Sequence, residues 1–267
     1  MKFSVLMVTY DGESTSSLSA CMESITLQTL QPDEVIICFD GDVRSELEDV
    51  VSRFKTKLPI RVFKNDKIGL ARNLNVGLTH CSHDLVVRCD SDDINLPHRF
   101  ATQVKMMNEK TEVCVSSGYA IEVTKNKKRV KTVPLGFIRK NSIRSFFKNP
   151  INHHSCIMRK SAVLQFGYLP GRMEDYKLWM MMLTSNHLLY NIEESLIVAS
   201  ADGLTSRRIG PSVRMAEIEL MKINLKRSLV LGVFLAPIAF LIRFPLRFNL
   251  LHSLLKIALN TTRKRAS

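Results

Sequence analysis

No cysteine pair in the 267 residues stands at Cys-x-x-Cys spacing, and no histidine sits at zinc-ligand spacing from one. The six cysteines, at 21, 38, 81, 89, 114 and 156, therefore describe neither a zinc site nor a disulfide framework. Three of them, Cys38, Cys89 and Cys114, fall inside strand-like apolar runs, where a reduced thiol serves as a small hydrophobe. Aromatic residues are scarce, with one Trp, and do not interleave with the basic runs, which argues against nucleic-acid binding. A bilayer-spanning run of roughly 20 apolar residues is missing. The longest candidate, Leu229 to Ile242, has 14 residues and contains Gly232 and Pro237. At the start, the polar Thr9-Tyr10-Asp11-Gly12 follows too soon for a signal peptide, and no small-residue cleavage site appears, so the expected compartment is a reducing cytoplasm. Internal repeats and low-complexity segments are absent as well.

Acidic residues run short towards the end. Residues 201–267 hold 12 Lys and Arg against 3 Asp and Glu, so nine of the thirteen excess positive charges lie in the last quarter. Leu250 to Leu259 reads as an amphipathic stretch ahead of Arg263-Lys-Arg265. Basic residues flanking apolar helix faces suit an anionic membrane surface, and a peripheral tail is expected; the competing reading is a helix pair packed on the body or on a second subunit of a homodimer. The expected division is a catalytic domain over 1–210 and a helical basic and apolar tail over 211–267.

Upstream of the tail, short apolar runs alternate with helical patterns. Strands are expected over 3–8, 35–39, 60–63 and 84–89, and helices over 17–29, 46–55, 69–79 and from Pro97 to about 108. This alternation predicts an α/β protein built on a single doubly wound, mixed, mostly parallel sheet. The pattern then changes: 113–123 and 130–133 read as two strands joined by the basic tip Lys125 to Arg129, a solvated turn. A short strand to Met158, a helix near 161–165 and another over 174–185 follow, with Trp179 and Met180 to Met182 read as core.

The stretch Asp84-Leu-Val-Val-Arg-Cys-Asp-Ser-Asp-Asp93 carries the chemistry. An apolar strand ends in Asp90, Asp92 and Asp93. Carboxylates packed this closely repel one another unless a cation sits among them, and hard cations such as Mn²⁺ and Mg²⁺ take oxygen ligands from carboxylates and substrate phosphates. Open α/β sheets place ligands at the C-terminal ends of their strands, so a metal and diphosphate site is expected here, against a plain acidic turn capping the next helix. Glu174 and Asp175 form a second acidic group at a helix start, where the macrodipole alone could account for them.

In order along the chain, Ser4-Val-Leu-Met-Val-Thr9-Tyr10, Ser24 to Thr29 with Pro32 to Ile37, Asp40-Gly41, Gly69-Leu-Ala-Arg72-Asn73-Leu-Asn75-Val-Gly77, Asp90-Ser-Asp92-Asp93, Asn149-Pro-Ile-Asn-His153 and Glu174-Asp175-Tyr-Lys-Leu-Trp179 resemble the family 2 glycosyltransferases. Phe39 stands where that family has the first Asp of Asp-Asp-Gly-Ser, and Asp42 where it has Ser. The resemblance, over roughly 3–210, implies a glycosyltransferase A-type fold and a nucleotide-sugar donor, most simply a UDP-sugar. It implies that Thr9, Tyr10, Asp40, Arg72, Asn73 and Asp90 hold the nucleotide, with Asp40 accepting a hydrogen bond from the imide N–H of a uracil-type base. By the same resemblance Asp92 and Asp90 bind the Mn²⁺ or Mg²⁺ bridging the diphosphate, and Asp93 orients a ligand. Inversion at the anomeric carbon needs a base, for which Asp175 comes first and Glu174 second. His153 is placed on the acceptor side, or as a structural residue, and Arg207 and Arg208 as a diphosphate clamp. The processive Gln-x-x-Arg-Trp motif is missing, which implies one transfer per encounter. The basic, apolar tail implies a lipid-linked or saccharide acceptor in bacterial polysaccharide or lipopolysaccharide assembly on the inner face of the plasma membrane. Two rivals stand beside this. A sugar-phosphate nucleotidyltransferase would open on a Gly-rich signature that Thr9-Tyr-Asp-Gly-Glu-Ser14 lacks, and a non-catalytic membrane scaffold would not need Asp40, Asp92 and Asp175.

Overall fold

The computed structural model describes residues 1–124, 127–200 and 211–246. In chain order its elements are β1 (Phe3–Thr9), α1 (Thr15–Thr26), β2 (Glu34–Asp40), α2 (Ser45–Phe54), β3 (Ile60–Asn65), α3 (Leu70–His80), β4 (Leu85–Asp90) and β5 (Ile94–Asn95). Then come α4 (Arg99–Glu109), β6 (Val113–Thr124), β7 (Lys127–Lys131), β8 (Gly136–Ile138), α5 (Arg144–Phe147), β9 (Ile157–Arg159) and α6 (Lys160–Val163). The last are α7 (Glu174–Thr184), β10 (Leu188–Ser200), α8 (Pro211–Arg227) and α9 (Leu229–Leu246).

One mixed sheet runs in the order β3-β2-β1-β4-β9-β6-β10-β5, with β7 on β6 and β8 on β10. The half that begins the chain is parallel, β3 through β4. Alternate side chains of a strand point to opposite faces, and here both faces are covered, so β1, β2 and β4 are apolar at nearly every position. Phe3, Val5 and Met7, with Val35, Ile37, Phe39, Leu85, Val87 and Cys89, pack under α1, α2 and α4. Leu6, Ile36, Cys38 and Val86 point the other way, onto α3 and α7. The approach of α3 is close enough that a Cβ on Gly77 would collide with the Leu6 side chain, which explains the glycine there. All six cysteines are free thiols and five are buried, in keeping with their reading as small hydrophobes.

Local differences from the sequence reading have visible causes. Helix α1 starts at Thr15 because Ser14 caps it, its side chain accepting from the Ser17 N–H, and it stops at Thr26 because Gln28 turns inward. The Gln28 amide donates to the carbonyls of Ser24 and Leu96 and accepts from the Phe100 N–H, pinning α1 to the start of α4. Strand β9 inserts antiparallel between β4 and β6, and β10, which sequence patterning did not disclose, pairs parallel to β6. Of the basic tip expected over 125–129, Lys127 to Arg129 belong to β7, paired antiparallel with the end of β6, and 125–126 lie outside the described residues.

Helix α8 continues the body instead of leaving it. Lys177 of α7 is buried and donates to Glu219 of α8 at 2.7 Å and to the Pro170 carbonyl. Among the described residues no helix is long and apolar enough to cross a membrane. The stretch 250–259 and the basic end 263–265 lie outside the described residues.

Candidate active site

The C-terminal ends of β1, β2 and β4 open onto a cavity of about 610 Å³, and its wall contains both acidic groups: Asp90, Asp92 and Asp93 from β4 and the turn after it, Glu174 and Asp175 from α7. A second cavity of about 550 Å³ adjoins at Asp40, lined by Tyr10, Asp42, Asn65 and Lys67 among others. Asp40 and Tyr10 line both.

Asp40 is fixed before any ligand arrives. Its Oδ1 accepts from the Gly69 N–H and from the Asn73 amide, both at 2.8 Å. Gly69 has φ +84°, a conformation that side chains avoid, and this turns its N–H onto the carboxylate ahead of α3. Asn73 is fully buried and in turn accepts from Asn65, so it positions Asp40 and does not itself reach the cavity. Arg72, its neighbour, is exposed and lines neither cavity. Thr9 is buried in β1 behind Tyr10 and also stays out of the wall.

At the end of β4 a buried cation organises the acids. Arg88 lies two residues before Asp90, hence on the same face of the strand, and ion-pairs with it while its own side chain is 4 % exposed. Burial alone would raise the Asp90 carboxyl, but the charge and hydrogen bond of Arg88 hold it below the usual carboxylate range. Beneath, the fully buried Arg99 donates to the Arg88 carbonyl at 2.7 Å and to Asn95, pinning the strand end. Asp93 is buried and accepts from His154 Nδ1 at 2.7 Å. Asp92 stands open to the cavity, and partial desolvation with the charges of Asp90, Asp93 and Glu13 pushes it up to about 6.

Asp90, Asp93 and His154 offer three ligand atoms within 4.8 Å of one another. His154 Nε2 is buried with no hydrogen-bond partner, while Nδ1 is held by a carboxylate, the arrangement that orients a metal-ligating imidazole. An Asp90 oxygen, an imidazole nitrogen oriented by Asp93, and the open carboxylate of Asp92 alongside suit Mn²⁺ or Mg²⁺. His153, expected on the acceptor side or as a structural residue, lines the wall: its Nε2 meets the Tyr168 hydroxyl at 3.0 Å, its ring lies edge-on to Trp179, and burial drives its pKa well below the ordinary value, which keeps the imidazole neutral.

Across the cavity, Met173 adopts a left-handed conformation, φ 60°, that turns the chain into α7. Asp175 Oδ2 accepts from the Asn149 amide at 2.6 Å. Burial raises the Asp175 carboxyl despite that bond and despite the charges of Arg88 and Lys131. Burial, then the neighbouring Asp175, pushes Glu174 up to about 7. Arg207 and Arg208 lie outside the described residues.

The family model described as glycosyl transferase family 2 matches residues 4–166. The amylovoran biosynthesis glycosyltransferase AmsE of Erwinia amylovora is 35% identical over 250 residues, covering 90% of this chain and 92% of its own. An Escherichia coli enzyme, UDP-Gal:alpha-D-GlcNAc-diphosphoundecaprenol beta-1,3-galactosyltransferase, is 37% identical over 217 residues, 78% of each chain. Among solved structures, S. aureus TarS 1-349 in complex with UDP-GlcNAc superposes with a TM-score of 0.66 at 16% identity, covering 93% of this chain and 74% of that one, which shows the same fold.

Proposed function

This chain belongs to glycosyl transferase family 2 and is a glycosyltransferase of the A-type fold, and from that premise we propose that it moves one sugar at a time, with inversion, from a UDP-sugar to a lipid-linked or saccharide acceptor. The setting is bacterial polysaccharide or lipopolysaccharide assembly at the cytoplasmic face of the plasma membrane. Residues 1–210 supply the catalytic residues, and helix α8 of the basic C-terminal stretch packs against them through Lys177 and Glu219. The observation that carries the reading is the single cavity whose wall holds both acidic groups and Asp40. The named relatives support it, one acting on a UDP-Gal donor and an undecaprenol-linked acceptor.

Asp40 presents its remaining oxygen, Oδ2, to the imide N–H of uracil, and a cytosine ring, which has no such N–H, leaves that acceptor unpaired. Asp90 and Asp92, with His154 oriented by Asp93 beside them, would hold the divalent cation. When bound, the cation neutralises the charge that gathers on the departing nucleoside diphosphate. Asp175, oriented by Asn149, takes the proton from the acceptor hydroxyl as that oxygen attacks the anomeric carbon from the face opposite the leaving group. Glu174, half-protonated near neutrality, shares the electrostatics of the pair without being the base.

A panel of nucleotide sugars, incubated with Mn²⁺ or Mg²⁺ and scored for nucleotide release, tests this directly. UDP-sugars should turn over, and Asp92→Asn should fall by about two orders of magnitude or more. Undiminished turnover in that variant, or in chelator, would overturn the reading.

A further inference from the structure

Helix α9 turns an apolar face to solvent: Val233, Phe234, Ile238, Leu241 and Ile242 are exposed, Phe234 by 67% and Leu241 by 65%. Its opposite face is seated, with Ala236 and Ala239 buried and Gly232 pressed against the carbonyls of Asn224 and Leu225. Scattered exposed apolar residues mean little, but a row on one helix does.

Beside it runs a strip that sequence reading passed over. Residues 139–148, Arg-Lys-Asn-Ser-Ile-Arg-Ser-Phe-Phe-Lys, hold four cations and no carboxylate. Arg139, Arg144 and Lys148 are exposed, as is Ile143 between them, and α5 packs on α9. Arg227, at the end of α8, staples the strip to the helices. Its guanidinium is buried, donates to the carbonyls of Lys140, Arg139 and Ser142 at 2.5, 3.1 and 3.2 Å, and lies 4.2 Å from the Phe146 ring. The strip is also joined to the catalytic helix at two points. Tyr176 donates its hydroxyl to the Ser145 carbonyl at 2.8 Å, and Asn149, next after Lys148, holds Asp175.

We propose that the apolar face of α9 and the cationic strip 139–148 form one docking surface for an anionic lipid bilayer, joined through Asn149 to the acceptor end of the cavity. The charge argues for lipid over a second copy of the chain. A like copy would bring the same carboxylate-free strip against itself, whereas phosphate headgroups complement it, and apolar side chains rimmed by Arg and Lys match the boundary between acyl chains and headgroups. The basic residues of 247–267 continue the same sign of charge past the end of α9. The part concerning the acceptor rests on the proposed function: a lipid-linked acceptor then meets Asp175 from the membrane side.

The test uses full-length protein and sedimentation with vesicles of phosphatidylglycerol or of phosphatidylcholine. The wild type should sediment with the anionic vesicles, less so at high salt, and stay in solution with the zwitterionic ones. Arg139→Glu with Arg144→Glu, and separately Phe234→Glu with Leu241→Glu, should each weaken partitioning by at least about tenfold, since each basic residue at such a surface contributes about 1 kcal/mol and the apolar anchors a comparable amount. Both variants should release nucleotide from a UDP-sugar in vesicle-free buffer at the wild-type rate, which also shows that they fold. Wild-type protein left in the supernatant, or variants that sediment as the wild type does, would overturn the proposal. So would light scattering that finds a wild-type dimer made monomeric by the α9 changes while lipid binding persists, because the face would then belong to a second copy. A wild type that binds vesicles yet releases no nucleotide from any donor would count against the proposed function and leave the docking surface standing.

Discussion

Asp90 and Asp175 line one cavity and both are half-buried, yet their carboxyls move in opposite directions: Asp90 is held down by Arg88, and Asp175 is raised by burial. The difference lies in distance from the cation. Arg88 makes a direct ion pair with Asp90, whereas Asp175 accepts from neutral donors, the Tyr176 N–H and the Asn149 amide, and feels Arg88 at longer range. In the proposed reaction the carboxylate that would grip the metal is the paired one, and the one that would accept a proton keeps an elevated affinity for it. Asp92 belongs with the first group despite its raised value, because neighbouring acids are part of the cause and a bound cation would cancel their effect.

The strongest way to break this contrast is to remove the base. Asp175→Asn should lower the rate of transfer by about two to four orders of magnitude while leaving donor affinity close to that of the wild type, measured as initial rates and as UDP binding. Equal transfer rates would show that the proton leaves by another route.

Removing the counter-ion should come next in size. Arg88→Met leaves Asp90 without its partner and should cost about 3 kcal/mol in urea unfolding with chelator present, the lower end of the range because Asp90 is partly open to water. The sign with pH is fixed. Asp90 is depressed in the folded protein, so its contribution is complete above its unfolded pKa of about 4 and disappears as pH falls below it. The variant should therefore lose less stability than the wild type on acidification. A parallel loss in both would mean that Arg88 and Asp90 are not coupled.

The smallest expected effect is a shift in pH profile. Activity needs an ionised base, so kcat/KM should rise with pH through a titration above the usual carboxylate range. Glu174→Gln removes the neighbouring negative charge and should move that acid limb to lower pH, with activity retained. An unmoved limb would separate the two carboxylates, and abolished activity would make Glu174 the base.

Much of the nucleotide end was legible because burial on both faces makes β1, β2 and β4 mostly apolar, and because the acid cluster follows directly on such a strand. Strand β10 was not legible. Asn191, Glu193, Glu194 and Ser195 interrupt its pattern where the pairing with β6 shifts register, so periodicity fails where the ladder is irregular. His153 and His154 show a different limit: adjacent identical residues give no signal for which one faces the acidic cluster, and a three-residue helical turn at His153–Ser155 decides it. Arg88 did carry a signal. A lone charge inside Leu85-Val-Val-Arg-Cys-Asp90, two residues from an acid on the same strand face, is the pattern of a buried ion pair. The cationic strip stayed hidden because its meaning depends on α9 lying beside it.

The most direct test of the contrast is Mn²⁺ binding in the presence of UDP, followed by the electron paramagnetic resonance of the free ion in the wild type, Asp92→Asn and Asp175→Asn. The account predicts that Asp92→Asn weakens binding by at least about tenfold. It predicts that Asp175→Asn binds Mn²⁺ as the wild type does while failing to transfer sugar. Unchanged binding in Asp92→Asn, or a loss of Mn²⁺ in Asp175→Asn equal to that in Asp92→Asn, would contradict it.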